Sequence, residues 1–146
     1  MMPDANRLNA IAAAVANSTV ELERDIKENI QRSIPAGRTY RLNPIVRKES
    51  RRNSTLKLAR KAGGVIVGYT YHRASSRGQP PAIRTGRLLN SIRSLQLNPT
   101  HGRINVGVDY GLPLDDPEGL DRPFFTTRVE LYRPRFFENI RRAFTG

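Results

Sequence analysis

Residues 72–92 read HRASSRGQPPAIRTGRLLNSI, and this stretch joins two kinds of secondary structure. Pro80 and Pro81 stiffen its middle, because the proline ring fixes one backbone torsion angle. Thr85 is suited to cap a short helical turn that contains Leu88, since a threonine hydroxyl can accept a hydrogen bond from an amide of the first turn. The stretch therefore predicts a rigid turn and a short helix running into an extended segment, and with them a fold that mixes helices and strands.

Residues 64–72, GVIVGYTYH, lead into this turn and are rich in β-branched and aromatic side chains. Their valines and tyrosines recur at every second position, which places them on one face of a strand. We interpret Tyr69 and Tyr71, like Phe136 and Phe144 near the end of the printed sequence, as core residues. The segment therefore predicts a strand that contributes aromatic side chains to the core.

The remaining periodic segments predict a hairpin and two helices. Residues 94–98 and 103–110 alternate apolar and polar side chains on either side of a turn, as in an antiparallel hairpin. Residues 6–33 carry large apolar side chains at steps of three and four, which predicts a long helix with Asp4 as its N-cap. Residues 129–144 show a second stripe of this kind and predict a C-terminal helix.

These elements predict an α+β fold, in which a small, mostly antiparallel sheet packs against the long N-terminal helix and the C-terminal helix. The length of 146 residues fits one domain, so residues 1–146 are expected to form a single unit. A basic arm is expected to project from that unit.

Residues 44–63 form this predicted basic loop or arm, because they contain few apolar anchors. Within 47–61 there are seven cations and one acid, and so dense a charge repels itself and favours a solvated segment. The candidate interface residues of the arm are Arg47, Lys48, Arg51, Arg52, Lys57, Arg60 and Lys61.

Residues 111–123 are predicted to form an acidic loop, because they are rich in proline and glycine. Five acids and no cation fall between residues 109 and 121, and the candidate interface residues there are Asp109, Asp115, Asp116, Glu118 and Asp121. Such a segment would attract the basic arm of a neighbouring copy, and head-to-tail contacts of this kind close into rings. The alternative is that both charged runs are simply solvated surface.

The net charge of +12 indicates an acidic partner, which could be nucleic acid, an anionic membrane or an acidic protein. Of the 25 cations 21 are arginine, the side chain best suited to bidentate contacts with carboxylate and phosphate. The basic arm could neutralise DNA phosphates without reading bases, so sequence-independent DNA binding stays open as an alternative function.

The sequence offers no pattern for catalysis or for a cofactor. It contains no cysteine, and His72 and His101 are its only histidines, so we predict no metal site. It lacks a phosphate-binding Gly-x-x-x-x-Gly-Lys-Ser/Thr loop and any catalytic triad or carboxylate pair, so we predict no enzyme. Because no stretch approaches the roughly 18 apolar residues of a membrane span, we expect a soluble protein without a membrane partner.

Several passages of the chain resemble a family of tailed-bacteriophage neck and tail-completion proteins, also described as head-tail joining or minor tail components. The family's His-Arg-Ala-Ser passage, Gly-x-Pro-Pro turn and Thr-Gly-Arg-Leu run are matched within 72–92. The family's Arg-Pro-Phe segment and closing helix are matched after residue 121. The motif residues of this sequence are His72, Pro80, Pro81, Thr85, Gly86, Arg87, Leu88, Ser91, Arg122, Pro123 and Phe124. One departure is YGLPLDDPEGL, which stands where the family usually has a Tyr-Ala-x-Tyr and an aromatic-Gly-Thr passage.

The resemblance implies a structural, non-enzymatic virion protein, made in the host bacterial cytoplasm and located in the neck or tail. There it would form a homo-oligomeric ring, with six-fold preferred over twelve-fold symmetry, that joins the DNA-filled head to the tail. Its other implied partners are head-closure or adaptor proteins, tail-terminator or tail-tube proteins, and genome DNA in the channel. Arg87 is the first candidate for a contact across an interface, because a guanidinium can form paired hydrogen bonds with a carboxylate. The alternative for the motif residues is a structural role inside one subunit.

Overall fold

The computed structural model describes residues 4–47 and 65–146, and this part of the chain folds into helices and two small antiparallel sheets. The elements in chain order are α1 (Ala5–Arg32), β1 (Thr39–Arg47), β2 (Val65–Arg73), α2 (Arg87–Ser91), β3 (Ile92–Asn98), β4 (His101–Val106), α3 (Gly111–Asp115) and α4 (Thr126–Thr145). The predicted α+β class is confirmed. The strands form two separate hairpins, β1–β2 and β3–β4, where a single sheet was expected.

Helix α1 begins as the sequence predicts, because Asp4 caps it. The Asp4 Oδ1 atom accepts a hydrogen bond from the Arg7 backbone amide at 2.8 Å. The helix buries Ile26 and Ile30 in the core, at the spacing that brings side chains to one face. The backbone turns extended at Ser33, ahead of a proline, and the helix ends there.

The core is small and lies where α1, the β3–β4 hairpin and the start of α4 meet. Its buried members are Ile26, Ile30, Ile92 and Phe124. Strand β3 pairs antiparallel with β4, with Ile92 opposite Val106 in register. The second hairpin was therefore predicted correctly, as was its packing against the long helix.

Hairpin β1–β2 makes its main contacts within itself and extends away from this core. Apolar and aromatic side chains are therefore exposed along it, and Tyr71 keeps 65% of its surface accessible. The interpretation of the aromatic residues as core is wrong for Tyr71 and for Phe144, which is 51% exposed. Tyr69 and Phe136 are half-buried. Period-two alternation predicted the strand, but within residues 4–47 and 65–146 no second layer covers this hairpin.

Two predicted loop boundaries also differ from the structure. Strand β1 continues through Pro44 to Arg47, where the basic arm was expected to start. A register irregularity between Arg41 and Pro44 accommodates the proline, which cannot donate a ladder hydrogen bond. The first part of the predicted acidic loop is helix α3, because Pro113 lies in its first turn, where amides need no helical partner.

Candidate interaction site

The passage 72–92 forms the base of the projecting hairpin, and Gln79 connects it to the end of α1. The Gln79 Nε2 atom donates to the Ile34 carbonyl at 3.1 Å. Its Oε1 atom accepts from the Ala36 amide at 3.0 Å and from the Ser76 amide at 3.0 Å. One amide side chain thus fixes the turn of the passage against the segment that leads from α1 into β1.

Gly37 brings these two segments into close contact. Its amide donates to the Ala74 carbonyl at 2.7 Å, and the Ala74 amide donates to Arg38 at 2.9 Å. A Cβ atom at position 37 would lie 2.6 Å from the carbonyl oxygens of Ala74 and Ser75, so only glycine fits here. The direction in which the hairpin leaves the core is fixed at this point.

Arg77 connects the same turn to the acidic segment. Its guanidinium donates to the carbonyls of Pro117 at 3.0 Å and Gly119 at 3.3 Å, and its Nε atom lies 3.9 Å from an Asp121 carboxylate oxygen. The Gly78 amide also donates to the Asp121 carbonyl at 2.8 Å. Asp121, predicted as an interface residue, therefore lies in a contact within the chain.

The start of α2 agrees in part with the predicted cap. The N-cap position is Gly86, whose φ of 74° lies in the left-handed region that glycine tolerates. Thr85, one residue earlier, accepts a hydrogen bond from the Arg87 amide on its Oγ1 atom at 3.3 Å. The Ser91 hydroxyl donates to the Leu88 carbonyl at 2.7 Å. The Thr-Gly-Arg-Leu run therefore builds this turn and leaves the Arg87 side chain exposed.

A groove of about 630 Å³ lies beside this turn. Its wall is mainly apolar and includes Ile30, Leu88, Leu89 and Leu114. Seven of the motif residues line this one groove, six of them from residues 72–88 and one from much later in the chain: His72, Pro81, Thr85, Gly86, Arg87, Leu88 and Arg122. Of the other motif residues, Phe124 belongs to the core, and Pro80, Ser91 and Pro123 are partly buried outside the groove.

Asp115 has a structural role that sequence reasoning missed. Its carboxylate caps α4, accepting from the amides of Phe124 at 2.9 Å, Phe125 at 3.0 Å and Thr126 at 3.2 Å. Burial acts to raise the pKa of Asp115, but hydrogen bonds from the Thr126 hydroxyl and these amides outweigh burial and lower it. A carboxylate eleven residues before a helix is far outside the local capping pattern, so the sequence carried no signal for it.

The remaining acids of the predicted acidic surface face solvent. Asp109, Asp116 and Glu118 are exposed, and Asp116 also accepts from the Glu118 amide at 3.0 Å. Between them Leu112 exposes 82% of its surface. The predicted basic arm falls mostly outside the described residues: Arg47 ends β1, whereas Lys48, Arg51, Arg52, Lys57, Arg60 and Lys61 are not among them.

Hairpin β1–β2 carries a second cationic surface that the sequence did not single out. The Arg41 guanidinium lies 4.3 Å from the centre of the Tyr69 ring, and the Arg38 guanidinium lies 5.4 Å from that of Tyr40. These are cation–π distances. Alternation along the strands could have placed Arg41 near Tyr69, but it could not tell which face of the hairpin is solvated.

The two histidines lie on different hairpins, His72 on β2 and His101 on β4. His72 lines the groove, and His101 lies beside Thr100, 3.3 Å from its hydroxyl. Over residues 4–47 and 65–146 no group of three or more histidine and carboxylate side chains could hold a metal ion. In the same ranges, none of the helices combines the length and apolarity that crossing a membrane requires.

Comparison of this chain with protein-family models, with curated proteins and with solved structures gives no match.

Proposed function

We propose that this chain is a structural virion protein of a tailed bacteriophage, part of the neck ring that joins the DNA-filled head to the tail. One observation carries the proposal. Seven of the eleven motif residues that resemble neck and tail-completion proteins line a single groove, and Arg122 joins it from the second of the resembling passages. Some of these residues, such as Leu88, also pack against the core, but Thr85 and Arg87 are exposed at the groove, where a partner can reach them.

The projecting hairpin supports the proposal independently. Tyr40, Ile45, Val46, Ile66 and Tyr71 are all exposed along it. A concentration of exposed apolar side chains on one element is a common mark of a protein–protein contact. We therefore assign it to the neighbours in the neck: other copies in the ring, head-closure or adaptor proteins, and tail-terminator or tail-tube proteins.

The net charge of +12 fits a ring around a DNA channel, since cations that face the axis can compensate phosphates. In this proposal the protein is assembled from the host cytoplasm into the virion and catalyses no reaction. Its role is to hold together two large assemblies, which needs complementary surfaces and no reactive group.

Electron microscopy of phage lysates tests the proposal. The gene is stopped early in the parent phage, and the lysate is compared with one complemented by the wild-type gene. We expect DNA-filled heads lying apart from finished tails without complementation, and joined particles with it. Intact virions in the uncomplemented lysate would overturn the proposal.

The second candidate is sequence-independent DNA binding, and the hairpin surface favours it. Arg41 stacked on Tyr69, with Tyr71 exposed nearby, combines a phosphate-binding cation with an aromatic platform for a base. Fluorescence anisotropy with unrelated single- and double-stranded oligonucleotides tests it. Binding should weaken steeply with salt and again in an Arg41→Ala/Tyr71→Ala variant. Weak binding that is insensitive to salt would reject this candidate.

A further inference from the structure

We infer that the groove lined by the motif residues receives Leu112 of a second copy of this chain, together with the carboxylates of Asp109 and Asp116. This inference rests on the proposed ring and names the contact that would close it. We refer to Asp109, Leu112 and Asp116 as the Leu112 projection.

The groove has the chemistry of a site for an apolar group that carries negative charge. Ile30, Leu88, Leu89 and Leu114 supply an apolar wall, while Arg84, Arg87 and Arg122 add positive charge. Among the described residues that line the groove, none is acidic. A wholly apolar occupant would bury these cations without a counter-charge. A wholly acidic occupant would leave the apolar wall without an apolar partner.

Two of the three arginines are available for a contact across an interface. The side chains of Arg84 and Arg87 are exposed, and no carboxylate of residues 4–47 and 65–146 lies within ion-pair distance of either guanidinium. Arg122 is held by the Leu120 and Asp121 carbonyls, which keep its charge at the groove without neutralising it. Guanidinium groups in this state favour carboxylates as partners.

The Leu112 projection has the complementary chemistry. With 82% of its surface exposed, Leu112 is among the most exposed large apolar side chains of the described residues. Asp116 follows one helical turn later, and its amide donates to the Leu112 carbonyl at 3.1 Å, so both residues lie on the same side of α3. Asp109 precedes the helix and is also exposed.

The groove and the projection lie on opposite sides of one short helix. Tyr110 and Leu114, four positions apart, line the groove. Leu112 lies between them, and two positions along a helix correspond to a rotation of about 200°. The side chain therefore points away from the groove of its own chain, so it can fill only the groove of another molecule.

This arrangement predicts a head-to-tail contact. Each copy carries one groove and one projection, facing different ways, so each copy can bind two neighbours through two different surfaces. Contacts between unlike surfaces close into rings when the rotation between copies permits. A second copy is the occupant that the charges favour, because the acids of one chain meet arginines that no acid among the described residues of their own chain neutralises.

Charge reversal on each side provides the test. The groove variant is Arg84→Glu/Arg87→Glu, and the projection variant is Asp109→Arg/Asp116→Arg. Sedimentation velocity and native mass spectrometry are applied to the full chain, alone and in an equimolar mixture of the two variants. Leu131→Ser is the matched control, because Leu131 is also exposed, at 64%, but lies on α4 outside both surfaces. Circular dichroism checks that each variant is folded.

We expect the wild-type chain and the control to form the same ring. Each reversal alone should weaken association by at least about a hundredfold, because it brings like charges together. In the mixture every contact again joins opposite charges, so rings of alternating variants should form. That rescue also excludes misfolding as the cause of the losses.

Three results would overturn the inference: a monomeric wild-type chain, unimpaired assembly of either reversed variant, or variants that stay apart after mixing. A separate experiment distinguishes these results from a failure of the proposed function: the phage whose gene is stopped early is complemented with the groove variant. If the wild-type protein is monomeric in solution but this complementation still leaves heads unjoined, the groove binds an acidic segment of another virion protein. The neck role would then stand without the contact between copies.

Discussion

The Arg128 guanidinium donates two hydrogen bonds to the Asp25 carboxylate, from Nε at 2.8 Å and from Nη2 at 2.7 Å. This paired contact joins α4 to the middle of α1, next to the small core, and both side chains are mostly shielded from water. The hydrogen bonds and the negative charge of Asp25 raise the pKa of Arg128 despite its burial. The contact therefore stabilises the packing of the two long helices.

Replacing Arg128 by alanine should lower the free energy of unfolding by about 1–3 kcal/mol, because it leaves a partly buried carboxylate without its partner. Urea unfolding followed by circular dichroism measures the change. Arg133→Ala is the matched control: Arg133 pairs with Glu130 on the exposed side of the same helix. Its loss should cost less than about 0.5 kcal/mol. Equal effects of the two substitutions would contradict the role given to Arg128.

Gly102→Ala should destabilise the chain by about 1–3 kcal/mol, because an added Cβ would overlap the Thr19 side chain on α1. Strand β4 approaches the helix too closely there for any larger residue. Gly68→Ala, in the projecting hairpin, is the control, since its added Cβ would have only Ile45 Cδ1 nearby, at 3.8 Å. Thermal unfolding of both variants tests the comparison, and a Gly102→Ala protein as stable as wild type would refute the close packing.

Asp115→Ala should remove the cap of α4 and lower the free energy of unfolding by about 1–2 kcal/mol. Asp115→Asn retains an oxygen acceptor and should cost less. Since the pKa of Asp115 is lowered in the folded state, its contribution is complete above its ordinary value of 3.8 and is lost as the pH falls below it. Asp109→Ala, at an exposed acid before α3, should change stability little. A larger loss for Asp109→Ala than for Asp115→Ala would contradict the assignment.

Glu23 should give the chain an acid-sensitive stability. Burial acts to raise the pKa of Glu23, but hydrogen bonds from Lys27 and Ser94 outweigh burial and lower it from 4.5 to about 2. The stabilisation is therefore fully present above pH 4.5 and is lost as the pH falls toward 2. Urea unfolding of wild type and Glu23→Gln at several pH values checks this. The stability difference between them should shrink by roughly 1–2 kcal/mol across that window, because solvent screens this partly exposed pair, and a constant difference would argue against the lowered pKa.

The sequence predicted the helices and strands better than the burial and contacts of their side chains. The long helix, its Asp4 cap and the hairpin near residue 100 follow from spacing and capping chemistry, which act over a few residues. The exposure of Tyr71 and the capping of α4 by Asp115 could not be read in this way. Both depend on which elements pack together, and that is decided by contacts between distant parts of the chain.

The candidate site shows the same difference between local features, which the sequence predicted, and contacts between distant residues, which it did not. The motif within 72–92 indicated where a contact surface would lie, and Arg87 was named from it. The sequence could not indicate that Arg122 lines the same groove, or that Arg77 holds the segment around Asp121 within its own chain. The opposite orientations of Leu112 and Leu114 became apparent only because Gly111–Asp115 is helical where a loop was expected.

Helix α3 has one more consequence for assembly, because its five residues include Leu114, which lines the groove, and Leu112, which belongs to the proposed projection. A neighbour seated in the groove presses on Tyr110 and Leu114 and so steadies the helix that displays Leu112 on its other side. A copy whose groove is filled therefore presents a better-ordered Leu112 to the next copy than a free chain does. We expect such a ring to grow cooperatively, with few partial arcs between single chains and closed circles.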